Sequence, residues 1–316
     1  MGKIIFGLLI GYLCFLAACS DSEEHLPDTL VVTIENLNGA TACAPGEAIR
    51  LRAKTNTLQA TLFTWSVEGE EVASDSVYTF SASEAGSYLV QLQAETAEGR
   101  ATDTLTLYVS ESNVFGINHV KHWTGTGDQR AVLAIQWVKS DNIEQPADEE
   151  VLFLAWGYRW PTGSSATSAD MLKAIVKQDP RLFVILAEQW DGVLVKGWGY
   201  DGNQDGKICI KNSSLTLTEA DFKEGIYWQK MEDEVDGLQP ENAADYWMGG
   251  WKIAYASFWL GNGSVIPETG EFDYSNYAPH LRRLQDKDWD VWTLSTINEA
   301  ERNVLPIVRL VRAAPL

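Results

Sequence analysis

The run Ser87-Tyr88-Leu89-Val90-Gln91-Leu92-Gln93 places Tyr88, Val90 and Leu92 at every second position, and an apolar period of two is the signature of a β-strand with one buried face. The same alternation recurs on both sides of it. Leu30-Val31-Val32-Thr33-Ile34, Ala48-Ile49-Arg50-Leu51-Arg52-Ala53 and Thr104-Leu105-Thr106-Leu107-Tyr108-Val109 are short runs bounded by Gly, Pro and Asn. Several such strands within about 80 residues predict a β-sandwich over residues 30–110.

The whole chain is larger than one such unit. It has 316 residues, 45% of them apolar and 22% charged, with a mean hydropathy of -0.16, proportions that support a buried core and exclude disorder as the main state. A chain beyond roughly 250 residues tends to divide, so two domains are expected. Acids outnumber bases 44 to 24 and the net charge is -20. Nucleic acid and anionic lipid are excluded as partners on that balance, because no Lys/Arg cluster supplies a local basic patch.

The N-terminus carries Lys3, an apolar run from Ile4 to Leu16 and then Leu16-Ala17-Ala18-Cys19, the order of a signal peptide over residues 1–18. The run is shorter than the about 20 apolar residues a membrane span needs. Leu-Ala-Ala-Cys resembles the bacterial lipobox, which implies lipidation of Cys19 and a lipid-anchored protein. Residues 19–29 contain Ser20-Asp21-Ser22-Glu23-Glu24, an acidic tether too polar to pack. It resembles the surface-export signal of Bacteroidetes lipoproteins, which implies the outer membrane and a face toward the medium. Cys43 and Cys209 fall in different domains, so no disulfide framework is expected.

Past Ser110 the composition changes: twelve of the thirteen Trp lie between Trp123 and Trp292. Residues 111–316 therefore form the expected ligand-binding domain. Ala131 to Val138 and Val151 to Tyr158 read as buried strands, and Val193–Val195, Ile208–Ile210 and Trp251–Trp259 continue that pattern. Thr167 with Asp170 three residues on forms a capping box ahead of Met171, Leu172, Ile175 and Val176 at helical spacing. Leu182–Leu186 fits a strand or a helix begun at Asp179-Pro180, and Ala278–Leu284 suggests a late helix. The fold class is mainly β: a β-sandwich, then a larger α+β domain on a mainly antiparallel sheet.

Candidate site residues follow from the aromatics. In Tyr246-Trp247-Met248-Gly249-Gly250-Trp251-Lys252-Ile253-Ala254-Tyr255-Ala256-Ser257-Phe258-Trp259, a strand would place Trp247, Trp251, Tyr255 and Trp259 on one face. That face is either an aromatic platform for a ligand or one layer of core. Tyr158, Arg159 and Trp160 sit where a strand enters a Gly/Pro loop, with Arg159 set to stack or to bridge to an acid. Trp190, Trp198, Tyr200, Trp289 and Trp292 follow as possible rim residues, and Asp288-Trp289-Asp290 as an acidic rim or a solvated turn.

Asp201-Gly202-Asn203-Gln204-Asp205-Gly206-Lys207-Ile208 matches the first eight positions of a calcium loop, with Asp201, Asn203 and Asp205 as ligands. Position twelve is Asn212 in place of the bidentate Glu, so Glu219 or Asp221 would have to complete the set. The other reading is an Asx/Gly turn that needs no metal. His119 and His122 lack the further ligands of a zinc site. No Gly-x-Ser-x-Gly, His-Glu-x-x-His or phosphate-cradling Gly loop is present and no enzymatic activity is expected, while a carboxylate pair for glycoside cleavage stays open because its separation is a three-dimensional fact.

Two resemblances join these observations. Phe63-Thr64-Trp65-Ser66-Val67 with Ala85-Gly86-Ser87-Tyr88-Leu89-Val90 resembles the PKD-type immunoglobulin-like domain, although Glu68-Gly69 stands where Asp-Gly is usual. That resemblance implies a spacer with Trp65 and Tyr88 in its core. Trp156-Gly157-Tyr158-Arg159-Trp160, Asp170–Ile175, Asp179–Leu182, Gly199–Gly206 and Asp288–Trp292 together resemble the BtuH-like cobalamin-binding surface lipoproteins of Bacteroidetes. This implies a non-enzymatic protein that captures cobalamin or a related corrinoid and passes it to a TonB-dependent outer-membrane transporter. A broad corrin disc edged with amides suits Trp and Tyr faces. A surface glycan-binding protein and a structural adhesin with every ring in its core are the alternatives.

Overall fold

The computed structural model describes residues 29–58, 61–97, 99–110, 114–143, 145–189, 192–296 and 304–316. The signal peptide, Cys19, the acidic tether through residue 28 and Trp190 lie outside the described residues.

The N-terminal unit consists of β1 (Val32–Asn36), β2 (Ala42–Cys43), β3 (Ile49–Thr55), β4 (Leu62–Val67), β5 (Glu70–Ala73), β6 (Val77–Phe80), β7 (Gly86–Thr96) and β8 (Gly99–Val109). They form a three-stranded sheet, β1-β3-β6, facing a five-stranded sheet, β2-β8-β7-β4-β5. Leu51, Trp65, Val90, Leu92 and Leu107 fill the space between them with no solvent exposure, as the alternation required. Burial of Trp65 is made affordable by its Nε1–H, which donates to the Asp75 carbonyl at 2.8 Å. Glu68 (φ 52°) and Gly69 (φ 87°) are both left-handed, the backbone of a two-residue hairpin turn between β4 and β5. Glu68 holds this position with a carboxylate oxygen that accepts the Leu89 N–H.

The second unit contains β9 (Trp123–Gly125), β10 (Gln129–Val138), β11 (Val151–Trp160), α1 (Ser168–Gln178), β12 (Leu182–Gln189), β13 (Gly192–Tyr200), β14 (Cys209–Lys211), β15 (Thr216–Thr218) and β16 (Ile226–Trp228). It continues through β17 (Gln239–Pro240), β18 (Tyr246–Gly249), β19 (Ala254–Asn262), β20 (Asp273–Tyr274), β21 (Asp288–Thr296) and β22 (Arg312–Ala313). A seven-stranded sheet runs β20-β19-β21-β10-β11-β22, with β9 also on β11. Most pairings of the unit are antiparallel, as expected, but this sheet is mixed: β10 with β21, and β11 with both β9 and β22, are parallel. Parallel pairing needs a long connection, and some 150 residues separate β10 from β21.

A four-stranded sheet, β16-β12-β13-β18, and a three-stranded one, β15-β14-β17, complete the unit. One face of the seven-stranded sheet packs on α1 and the four-stranded sheet through Leu133, Trp137, Trp156, Leu172, Trp198 and Leu294. The opposite face packs Val132, Phe153, Trp259 and Trp289 into a second core.

Helix α1 forms where its capping box predicts: Thr167 Oγ1 accepts the Asp170 N–H at 3.2 Å and Asp170 Oδ2 accepts the Thr167 N–H at 2.9 Å. Asp179 follows its last turn, and Leu182–Gln189 is a strand. Residues 278–284 form a turn where a helix was expected. Their carbonyls serve α1 instead, Arg282 accepting from Ser168 N–H at 2.9 Å and Pro279 from Ala169 N–H at 3.0 Å. The segment thus satisfies N–H groups that a helix start leaves open. With one α-helix among its described residues, the domain is a multi-sheet β structure more than an α+β one.

Candidate functional site

The four-ring platform expected between Trp247 and Trp259 is not formed. β18 and β19 belong to different sheets, and the chain bends between them at Gly250 (φ 89°) through Trp251, Lys252 and Ile253. Trp247 is buried under the four-stranded sheet, stacked on Phe183 with 7° between the rings and 6.0 Å between centroids. Trp259 is buried on the far side of the seven-stranded sheet, its Nε1–H donating to Thr293 Oγ1 at 3.0 Å. Trp251 alone of the four is widely exposed, at 52%.

The structure assembles a different group. Trp251, Tyr255 and Trp292 converge with Leu194 and Val195 of β13, Ala256 and Phe258 of β19, and Tyr274 through Pro279, around a cleft of about 240 Å³. It opens at the margin between the two large sheets. Its inner wall is buried: Phe258 and Trp292 stack at 4.4 Å with 4° between rings, and Val195 lies beside them. Its mouth is aromatic and hydroxylated, with Tyr274 at 40% and Tyr277 at 60% exposure. No charged side chain lines it.

Trp251, Tyr255 and Tyr274 are held in place. The Trp251 backbone N–H donates to Asp236 Oδ1 at 2.5 Å and Lys196 Nζ lies 4.2 Å from the centre of the indole ring. The hydroxyls of Tyr255 and Tyr274 are 2.9 Å apart, and burial together with that hydrogen bond pushes the Tyr274 phenol up to about 12. Ser275 fixes the following loop, its N–H donating to the Phe258 carbonyl and its hydroxyl to the Tyr277 carbonyl. Phe258, Tyr274, Asn276 and Tyr277 are not among the sequence candidates. The period of two that groups Ala256 with Phe258 is visible in the sequence, but the large rings Trp251, Tyr255 and Trp259 occupy the other phase.

The remaining candidates lie elsewhere. Tyr158 and Trp160 stack on each other at 5.9 Å, Trp160 within the core, and the Arg159 guanidinium lies 4.5 Å from the centre of the Trp123 ring. This is the stacking alternative for Arg159. Trp198, Tyr200 and Trp289 are core residues. Asp288-Trp289-Asp290 forms neither rim nor solvated turn: it is a buried stretch of β21, with Arg282 Nη2 2.7 Å from Asp288 Oδ2.

At the acidic loop, Asp201 is buried and its two oxygens accept N–H groups of Gln204 (2.7 Å) and Gly206 (2.8 Å). Asn203 Oδ1 accepts from Asp205 N–H at 3.1 Å and Asp205 Oδ1 from Lys207 N–H at 2.9 Å. Glu219 and Asp221 accept backbone N–H groups of Ile208 and Thr218. This is the geometry of nested Asx turns. Among the described residues no group of three or more His, Cys, Asp or Glu is placed to hold a metal ion. His119 Nδ1 accepts the Gly116 N–H at 3.0 Å, and His122 Nε2 lies 4.0 Å from Asp179.

Residues 36–96 match the family model of the PKD-like domain, so the chain carries a PKD-like domain near its N-terminus. No curated protein matches the chain. Among solved structures, the PKD domain of an M14-like peptidase from a Thermoplasmatales archaeon is 11% identical, covering 26% of this chain and 94% of that one, with a TM-score of 0.22. The PKD domain of the human VPS10 domain-containing receptor SorCS2 is 18% identical, covering 34% and 96%, with a TM-score of 0.23. A quinonprotein alcohol dehydrogenase-like protein from Bacteroides thetaiotaomicron is 12% identical over 26% of this chain, with a TM-score of 0.21, and the chain spans about 21% of its length.

Proposed function

We propose that this protein is a non-enzymatic surface lipoprotein, held by a lipid on Cys19, whose C-terminal domain captures a saccharide in the cleft beside Trp251. The PKD-like domain stands between the anchor and the cleft as a spacer. The observation that carries the reading is the convergence of Trp251, Tyr255, Tyr274 and Tyr277 on one uncharged cleft. Sugar rings present C–H faces that pack on aromatic rings and hydroxyls that pair with phenols and amides such as Asn276. About 240 Å³ accommodates one or two such rings.

The corrinoid reading rests on a resemblance of motifs, to which a broad platform of rings along one strand would have given physical support. That platform is absent, and a corrin macrocycle with its amide arms exceeds the cleft several-fold. Transfer to a TonB-dependent transporter rests on the same resemblance and gains no support from the cleft.

Affinity electrophoresis of the lipid-free protein in gels containing a panel of polysaccharides tests the proposal, with cyanocobalamin titration as the parallel arm. Retardation by at least one polysaccharide, abolished by Trp251→Ala, is expected. Failure of every polysaccharide overturns the saccharide reading, and cyanocobalamin binding at micromolar concentration would install the corrinoid in its place.

A further inference from the structure

The PKD-like unit touches the second unit at a place remote in sequence from the linker that joins them. Seven residues, 110–116, connect the end of β8 to a 3-10 turn at Ile117–His119. One linker alone leaves two domains free to swing and twist, the ordinary behaviour of tandem units that share little surface. A second point of attachment removes that freedom.

The second point is Thr41, just ahead of β2. Its N–H donates to the Asn118 carbonyl at 3.0 Å, while its own carbonyl accepts the Tyr108 N–H of β8 at 2.9 Å. One residue thus ties the five-stranded sheet to the turn. The turn in turn belongs to the second unit: Ile117 and Val120 are buried in its core, the Ile117 N–H donates to the Ser264 carbonyl at 2.9 Å, and Asn118 Oδ1 accepts from Arg130 Nη1 of β10 at 3.1 Å. It can move only with that unit.

Gly39 shows how closely the two backbones approach. Its φ is 76°, and a Cβ added to it would stand 2.7 Å from the Lys121 carbonyl oxygen and 3.1 Å from the Lys121 Cα, backbone atoms that cannot swing aside. Gly46 has the same left-handed conformation, at φ 79°, with nothing within 4 Å of the corresponding position. Both need glycine for their dihedral angle, and Gly39 needs it for the contact as well. Beside this contact the units part into a groove of about 690 Å³, with Cys43 and Glu47 on one side and Phe115 and Arg312 on the other.

We infer that Gly39 and Thr41 clamp the PKD-like unit onto the second unit, so that the two tumble as one body and the sandwich sets the direction in which the cleft faces. The inference is independent of what the cleft binds.

The test is nitrogen relaxation and amide exchange on the lipid-free full chain, in the parent and in Gly39→Ala and Gly46→Ala. Amides of both units should report one rotational correlation time in the parent, and the Thr41 amide should be protected from exchange. In Gly39→Ala the PKD-like unit should tumble faster than the second unit, and Thr41 exchange should accelerate about tenfold or more. Gly46→Ala carries the same left-handed strain without the contact and should keep the parent's values in both measurements. A shorter correlation time for the PKD-like unit in the parent overturns the inference, and that measurement needs no variant to fold. Identical behaviour of the two alanine variants overturns it as well.

Discussion

Asp290 lies fully buried with Arg282 Nε 3.5 Å from its Oδ1. The same guanidinium is already committed to Asp288 at 2.7 Å. Two carboxylates thus share one cation inside the core, and Asp290 has the weaker hold on it. Burial is the main cause that pushes its carboxyl from 3.8 up to about 6, with the neighbouring Ser168 hydroxyl and Arg282 opposing and Asp288 reinforcing the shift.

A folded-state value above the unfolded one means that the native protein holds this proton more tightly. The contribution to stability is therefore complete below about pH 4 and is lost as pH rises through about 6, a change of roughly 2–3 kcal/mol. Asp290→Asn removes the dependence. In urea titrations, the stability of the variant relative to the parent should rise steadily from pH 4 to pH 7; a constant difference would show that Asp290 is ionised throughout.

Trp247 and Trp251 should separate cleanly on mutation. Trp251→Ala should leave the melting transition almost unmoved, since an exposed side chain costs about 0.5–1 kcal/mol when its cation contact is lost, while ligand retention disappears. Trp247→Ala opens a cavity beside Phe183 and should cost about 3–5 kcal/mol. Equal thermal losses in the two variants would place Trp251 in the core and remove it from the cleft.

Asp179 anchors a second buried network. Its oxygens accept from Trp156 Nε1 at 2.8 Å and from Arg181 Nε and Nη2 at 2.8 Å each, and these bonds keep its carboxyl low against the cost of burial. Asp179→Ala strands the guanidinium and the indole together, for an expected loss of about 3–5 kcal/mol by chemical denaturation. A loss under about 1 kcal/mol would mean that water replaces the carboxylate without penalty.

The acidic loop gives a metal-independent prediction. Because both Asp201 oxygens are spent on Gln204 and Gly206 N–H groups, Asp201→Ala should destabilise by about 1–3 kcal/mol. The drop should be the same in excess calcium and in chelator. A calcium-dependent drop would assign the loop a metal after all.

How far the sequence carries is set by the range of the interactions that decide each feature. The sandwich strands are local: Val90 and Leu92 bury because their period of two leaves no other arrangement, and Thr167 caps α1 through a residue three positions away. The cleft is not local. Leu194, Tyr255, Tyr277 and Trp292 meet only because β21 inserts between β10 and β19, a pairing that no spacing encodes. Aromatic content marks the domain that holds the cleft, but most of its rings are core, and one glycine in the left-handed region, Gly250, is enough to send Trp247 and Trp251 into different environments. The turn and calcium readings of Asp201 share one pattern of residue types, and only the direction of the N–H groups distinguishes them.

Strand β21 is the middle rung of the largest sheet and nearly the last to be made, with β10 on one side and β19 on the other. A chain leaving the ribosome or crossing a membrane N-terminus first can complete the PKD-like unit early, from neighbours in sequence. The cleft domain must instead wait, its two flanks exposed, until residues 288–296 arrive. Slow, chaperone-sensitive maturation of that half follows from its high contact order, and a product truncated before Asp288 would present two unpaired edges ready to associate with other chains.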